Sequence, residues 1–333
     1  MEPENKPVPF FSIVVPIYNT QEYIKECLDS VLQQTFSNYE CILIDDGSTD
    51  NSYTICNEYA SLNSKIKLIQ QNNMGVSIAR NTGIIAAKGD FIVFLDSDDK
   101  IFNQTSLHDL YVLINNNYSN IIFHSTNYIF SKDKVLFSKN TIDDINIVIS
   151  AERFTKYCFH PNSKILLAAW SFTINRLFLL KNNLFYKENI IHEDNHFIPR
   201  LLCLTDNITI NNKTFYCYRR NRIGAITYSI SKKRLLDIMT IMDDLLVLHN
   251  NETVLLNKKI YSYFCRNLWL DLYKALLTFN DKETENKIYD YLKKTSYCII
   301  LNFKPKHLFL YLVIKIFGLK NSVYFRKIIH KII

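Results

Sequence analysis

The stretch "GDFIVFLDSDD" (89–99) decides how the fold is read. Phe91 to Leu95 form an unbroken apolar run that suits a strand covered on both faces. Three carboxylates then arrive within four positions, Asp96, Asp98 and Asp99. Like charges that close repel one another, and each resists leaving water. Such a set belongs at the open end of a strand, displayed to a ligand rather than buried in the core.

Working outward, the first hundred residues alternate. "FFSIVVP" (10–16), "YECILIDD" (39–46) and "KIKLIQQ" (65–71) read as strands. Between them, 21–34 places Tyr23, Ile24, Cys27, Leu28 and Val31 on one helical face. The segment 50–62 is a helix that Asp50 or Asn51 can cap, and 75–88 is a third helix. Strands and helices alternating at these lengths imply right-handed crossovers and an α/β, mostly parallel sheet with both faces covered. Ligands bind such sheets beyond the carboxyl ends of the strands. Those ends carry "PIYN" (16–19), "DDGSTD" (45–50) and "DSDD" (96–99), so aspartates recur where a site is expected.

The middle of the chain is mixed, with helices expected near 104–116, 150–158 and 193–204 and strands near 119–130, 134–138 and 207–220. From about 231 the texture becomes helical: 231–249, 252–278, 283–301 and 307–331, the last broken near Gly318. A boundary is expected near 225. Hydrophobic residues make up 48% of the 333 and charged residues 21%, which excludes a disordered or low-complexity chain. The polar start "MEPENKPVPFF" does not resemble a signal peptide. The eight cysteines form no C-x-x-C pair, so reduced buried thiols are expected rather than zinc ligands or disulfides. The net charge of +7 is concentrated: residues 304–333 hold seven Lys or Arg and no acid.

Two carboxylates at i and i+2 after a strand suit a hard divalent cation, magnesium or manganese, which keeps waters and takes phosphate oxygens. The competing reading is a solvated acidic turn, and the second acidic turn at 45–50 weighs against it. The chain has neither G-x-G-x-x-G nor a P-loop and only six glycines, so a backbone nest is not what would neutralise a bound phosphate.

Taken together, "SIVVPIYNTQEYIKECLDSVLQQTFSNYECILIDDGSTDNS" (12–52), "NNMGVSIARNTGIIAAKGDFIVFLDSDD" (72–99) and "HEDNHF" (192–197) resemble the family 2 glycosyltransferases, which have the GT-A nucleotide-sugar fold. The resemblance implies a catalytic domain over 1–225 and a helical region with a basic amphipathic tail over 226–333. It implies roles by position. Pro16, Ile17 and Tyr18 match the segment around the nucleotide base, Tyr18 either stacking on the base or sitting in the core. Asp46, with Asp45 beside it, matches the aspartate that bonds the base N–H. Arg80 lies either near the diphosphate or on an exposed helix face. Asp96 and Asp98 match the metal-binding Asp-x-Asp, Asp98 the direct ligand and Asp96 serving ribose or metal, with Asp99 the substitute if the register slips by one. Asp194 matches the catalytic base, with Glu193 beside it at a helix start. His192 and His196 are read as helix histidines rather than ligands. Arg219, Arg220 and Arg222 precede Gly224 in what is either a loop closing over the diphosphate or a basic linker. Trp170 is expected to line the acceptor or sugar pocket, although its neighbours Ser171 and Phe172 depart from the family pattern.

The resemblance implies an inverting transfer of a hexose or N-acetylhexosamine from a nucleoside-diphosphate sugar, with UDP the expected nucleotide. The acceptor is a hydroxyl of a glycan or lipid-linked glycan, in synthesis of a surface polysaccharide such as capsule or O-antigen. Two alternatives stand beside it: a haloacid-dehalogenase-like phosphotransferase using Asp96, and a non-catalytic nucleotide-sugar-binding module. The basic tail suits an anionic membrane surface or a helix packed on the enzyme with its lysines in water. No nucleic-acid motif accompanies the charge. A cytoplasmic enzyme, peripheral at the inner face of the plasma membrane, is expected.

Overall fold

The structure is a computed structural model that describes residues 8–131, 134–139, 142, 147–160, 163, 165–220, 231–276, 279, 281–300 and 305–322. The alternation of the first hundred residues is realised as β1 (Phe11–Ile17), α1 (Ile24–Leu32), β2 (Tyr39–Asp45), α2 (Ser52–Leu62), β3 (Ile66–Gln70), α3 (Val76–Ala86) and β4 (Phe91–Phe94). There follow β5 (Lys100–Ile101), α4 (Ser106–Asn116), β6 (Ile121–Ser131), β7 (Lys134–Lys139), β8 (Val148–Ser150), α5 (Ala151–Phe159), β9 (Phe172–Asn175), α6 (Arg176–Lys181), α7 (Asp194–Cys203) and β10 (Asn207–Arg219). The helical remainder comprises α8 (Lys232–Asn251), α9 (Leu255–Ala275), α10 (Lys282–Lys294), a 3₁₀ turn at Ser296–Ile300, and α11 (Pro305–Ser322).

One sheet has the strand order β3-β2-β1-β4-β9-β6-β10-β5, with β7 paired to β6 and β8 to β10. The first four strands are mutually parallel, and Val14 of β1 lies between Ile42 of β2 and Phe94 of β4. Beyond them the sheet is mixed: β9 runs antiparallel to both β4 and β6, while β10 is parallel to β6.

All seven residues of β1 are buried, as an apolar strand covered on both faces requires. Helix α1 buries Ile24, Cys27, Leu28 and Val31, the stripe its spacing dictates. Helix α3 packs on β1 through Gly83, where an added Cβ would come within 2.2 Å of Val14 Cγ1. Deeper in, His124 is fully buried and stacks on Phe215 at 4.1 Å. Asn211 Nδ2 donates to its Nδ1 (3.1 Å), which leaves the proton on Nε2, 3.0 Å from Thr173 Oγ1. Burial lowers its pKa to about 3, so the ring is neutral.

The described chain divides into two compact units. The first is Met1–Asn189 with Leu204–Ile223; the second is Ile190–Cys203 with Gly224–Ile333. The sequence expectation put 1–225 together. The segment Ile190–Cys203 instead joins the helical unit, for reasons visible within that unit. Ile191 N donates to Asp237 Oδ2 (2.8 Å), His196 Nε2 meets Asp244 Oδ2 at 3.4 Å, and Asn257 Nδ2 donates to the Cys203 carbonyl. Elsewhere in that unit Trp269 is fully buried and its indole N–H donates to the Leu292 carbonyl (3.2 Å). All eight cysteines are free thiols, seven of them buried. Among the described residues no helix is long and apolar enough to cross a membrane.

Candidate active site

The acidic turn after β4 is fixed from three sides. The Leu95 amide still pairs with Val14 O, and the Asp99 amide then closes the turn on the Asp96 carbonyl (3.0 Å). The three carboxylates have different fates. Asp96 pairs with Arg80 of α3, Oδ1 to a terminal guanidinium nitrogen at 3.0 Å. Arg80 itself is 4% exposed, and its guanidinium lies over the Tyr186 ring at 5.3 Å, so it is neither surface charge nor spare. Asp99 is buried and accepts from Tyr216 Oη and from the Arg219 amide, both at 2.7 Å. Burial, together with Asp98 and Asp96, pushes its carboxyl well above the usual range, against the two donors that favour its charge. Asp98 is half-buried. Asp99 is turned into the fold, whereas Asp96 and Asp98 both keep partial access to solvent.

The end of β10 completes this turn. The Tyr216 hydroxyl donates to Asp99 and accepts from the Asp96 amide (3.2 Å), bridging both ends of the acidic stretch. Arg219 Nε donates to the Asp98 carbonyl (2.8 Å). Its guanidinium pairs with Glu26 of α1 and lies over the Tyr23 ring at 4.8 Å. Burial works against the charge of Glu26, but Lys100 and Arg219 together hold its carboxyl below the usual range. Arg219, read from the sequence as part of either a closing loop or a basic linker, is here held against the Asp98 carbonyl, Glu26 and the Tyr23 ring. Arg222 lies outside the described residues.

At the neighbouring strand ends, Pro16 and Ile17 are buried as the last residues of β1, while Tyr18 just beyond is 44% exposed. The core reading of Tyr18 is set aside: its ring faces solvent at the carboxyl edge. Asp45, the last residue of β2, and Asp46 just beyond it are both buried. Asp45 is fully buried, with Oδ2 3.4 Å from Gln70 Nε2. Asp46 receives three donors: Gln71 Nε2 (2.8 Å) and the Met74 amide (2.9 Å) on Oδ1, and the Gly75 amide (2.8 Å) on Oδ2. It pins the approach to α3 against the end of β2. The loops after β1 and β2 are also laced together. Asn19 Oδ1 accepts from the Thr49 amide, the Asn19 amide donates to Ser48 Oγ, the Thr20 amide to Ser52 Oγ, the Gln21 amide to Asp50, and the Asn51 amide to Gln21 Oε1. Asn19 adopts φ 51°, a left-handed conformation that Asn tolerates.

Trp170 is 5% exposed and stacks on Tyr216 at 4.5 Å (10°) and on Tyr218 at 5.5 Å. Expected in a sugar or acceptor pocket, it is found as the back wall of the tyrosine that carries the acidic turn. In the second unit, Asp194 is the first residue of α7 and half-buried, and Glu193 is 8% exposed with its carbonyl accepting from the His196 and Phe197 amides. His192 before them has φ 69°. A carboxylate at that helix start is favoured by the positive end of the helix dipole. Burial and the nearby Arg234 hold the His192 ring below its usual pKa.

The structure thus gathers Arg80, Asp96, Asp98, Arg219, Tyr18 and Asp46 at adjoining strand ends of the first unit, and Glu193 with Asp194 at one helix start of the second. Sequence reasoning missed Tyr216, Glu26 and Gln71. The first had a faint signal, since Tyr216 and Tyr218 alternate onto one face of a strand that ends in arginines.

Residues 12–188 match the profile of Glycosyl transferase family 2, more than half of the chain, and the chain belongs to that family. It is 29% identical over 260 residues to glycosyltransferase GlyA of Streptococcus pneumoniae, covering 76% of this chain and 36% of that one. It is 32% identical over 216 residues to the uncharacterized glycosyltransferase EpsJ of Bacillus subtilis, covering 64% and 62%. The chain therefore spans about a third of the one relative and under two thirds of the other. Among solved structures, residues 1–349 of S. aureus TarS in complex with UDP-GlcNAc superpose with a TM-score of 0.76 at 19% identity, over 95% of this chain and 91% of that one. The mannosyltransferase PcManGT of Pyrobaculum calidifontis, in complex with GDP-Man and Mn2+, gives 0.57 at 12%, over 97% and 84%. The fold is the GT-A fold of these proteins.

The donor set fits a divalent cation of one kind only. Among the described residues no group of three or more His, Cys, Asp or Glu gathers as an all-protein cage. A half-exposed Asp98 and an i–2 carboxylate, Asp96, at a strand end suit magnesium or manganese, which take their remaining oxygens from water and substrate phosphate.

Proposed function

We propose that the chain is an inverting glycosyltransferase that moves a hexose or N-acetylhexosamine from a UDP-linked sugar to a hydroxyl of a glycan or lipid-linked glycan in surface polysaccharide synthesis. The observation that carries this reading is the acidic turn: Asp98 left half-open, Asp96 matched to Arg80, and Asp99 consumed by the scaffold. The S. aureus structure in complex with UDP-GlcNAc, on the same fold, supports the choice of donor class. Family membership sets aside the haloacid-dehalogenase-like alternative.

Tyr18 offers its ring to the base and Asp46 its remaining acceptor capacity to the base N–H, with Pro16, Ile17 and Asp45 as the packed floor beneath. Asp98, with Asp96, would hold magnesium or manganese, which when bound neutralises charge on the departing diphosphate. Arg80 fixes Asp96 through their 3.0 Å ion pair. Asp194 accepts the proton of the acceptor hydroxyl. The freed oxygen pair forms the new bond to the anomeric carbon from the face opposite the diphosphate. The old C–O bond breaks with its electrons remaining on the nucleoside diphosphate, and configuration inverts. The base role rests on the resemblance of 192–197 and on the position of Asp194 in the first turn of α7. With a lipid-linked acceptor, the work is done at the inner face of the plasma membrane.

The test is a panel of nucleotide-sugars assayed for transfer and for metal-dependent binding. Asp194→Asn is expected to lose transfer by about 100-fold or more while keeping donor affinity, and Asp98→Asn to weaken metal-dependent donor binding. A wild-type protein that binds a nucleotide-sugar yet transfers to no acceptor, with Asp194→Asn indistinguishable from it, would establish the binding-module alternative instead.

A further inference from the structure

Helix α11 has two apolar faces. Leu310 and Ile314 are buried (1% and 7% exposed) on the side that packs toward the 3₁₀ turn at Ser296–Ile300. Phe309, Leu312 and Ile316 are exposed at 49%, 45% and 71%. At i, i+3 and i+7 these three fall within an arc of about 60° on a helix of 3.6 residues per turn. Exposed apolar side chains scattered singly need no explanation, but a stripe of three large ones on one helix does. Lys315 beside the stripe is exposed, its Nζ 5.6 Å from the Tyr311 ring.

A second copy of the chain, another protein or a lipid surface would each cover such a stripe, and charge separates them. Residues 304–333 hold seven cations and no acid. Two such stretches brought face to face repel each other, which opposes self-association through this helix. An anionic bilayer surface attracts the same charges and accepts the apolar stripe at the headgroup boundary.

We propose that the Phe309–Leu312–Ile316 face of α11 docks on an anionic phospholipid surface, the helix lying in the plane of the interface. The inference deepens the reading above by saying where a lipid-linked acceptor would be met, but it rests on α11 alone and not on the acidic turn.

The experiment uses the full chain, without donor or acceptor, and vesicles of phosphatidylcholine with or without 30% phosphatidylglycerol as the probe. Co-sedimentation is expected with the anionic vesicles only, and it weakens as salt is raised. The triple variant Phe309→Ser, Leu312→Ser, Ile316→Ser is expected to bind about tenfold more weakly or worse, with circular dichroism and transfer to a soluble acceptor unchanged. As a variant that keeps the apolar face, Leu312→Trp is expected to show a blue-shifted emission on vesicle addition, quenched by brominated lipid. Equal partition of wild type and triple variant overturns the proposal, as does an emission spectrum of the Leu312→Trp variant that anionic vesicles leave unchanged. So does a concentration-dependent dimer abolished by the triple variant. Because vesicle binding is read without catalysis, its failure leaves the glycosyl-transfer reading standing, and failed transfer leaves the docking face standing.

Discussion

Removing one oxygen, in Tyr216→Phe, tests the account of the acidic turn. The Tyr216 hydroxyl is fully buried and makes two bonds, donating to Asp99 at 2.7 Å and accepting from the Asp96 amide at 3.2 Å. A buried hydrogen bond contributes about 0.5–1.5 kcal/mol net, and leaving its buried partner unsatisfied costs about 1–3 kcal/mol. A loss of about 2 kcal/mol is expected. Trp170, stacked on this ring, is one of two tryptophans, so a Trp269→Phe background makes fluorescence in a urea titration a reporter of the first unit. In the cycle with Asp99→Asn, the two changes should couple by about 1 kcal/mol or more, since they share one bond. Donor KM should rise more than kcat falls, because the turn that carries Asp98 loses the bridge between Asp96 and Asp99. A cost below about 0.5 kcal/mol with zero coupling would show that the turn holds its shape without β10.

Further perturbations follow from the core. Because the buried His124 titrates at about 3 and an unfolded histidine near 6.5, the unfolded chain binds the extra proton between those values. Stability is thus retained above about 6.5 and lost as pH falls toward 3; between pH 7.5 and 5 this one ring costs about 2 kcal/mol. Urea midpoints for wild type and His124→Phe should converge on acidification, and parallel pH profiles would refute the assignment. Gly83→Ala forces a methyl to within 2.2 Å of Val14 Cγ1, an overpacking of about 1–3 kcal/mol. Adding Val14→Ala should recover part of the lost melting temperature, and an additive double variant would mean that the helix shifts instead.

The four parallel strands and three crossover helices were legible because each runs long enough to show its period, as in the Ile24, Cys27, Leu28, Val31 stripe. The two-residue β5 was not, being too short to carry any pattern, nor was β9, whose partners β4 and β6 are distant in the chain, and with β9 went the antiparallel turn of the sheet beyond β4. In the site, Asp46, Asp96 and Asp98 were legible as charges where a strand stops. The fate of Asp99 was not, since it is decided by Tyr216 and Arg219, more than a hundred residues away. Burial of Arg80 and Trp170 is decided the same way, by rings at 186, 216 and 218 that no local window contains. The grouping of Ile190–Cys203 with the helical unit was hidden because its partners, Asp237, Asp244 and Asn257, sit on helices that follow β10 in the chain.

Six hydrogen bonds join positions 19–21 to positions 48–52, each between residues about thirty apart in the chain. An inserted residue in either loop would put every one of those partners out of step, whereas a matched change in both could restore the ladder. The two loops therefore form one mechanical part with a single permitted length, and Tyr18, at its root, is presented on a frame that can be shortened or lengthened only as a pair.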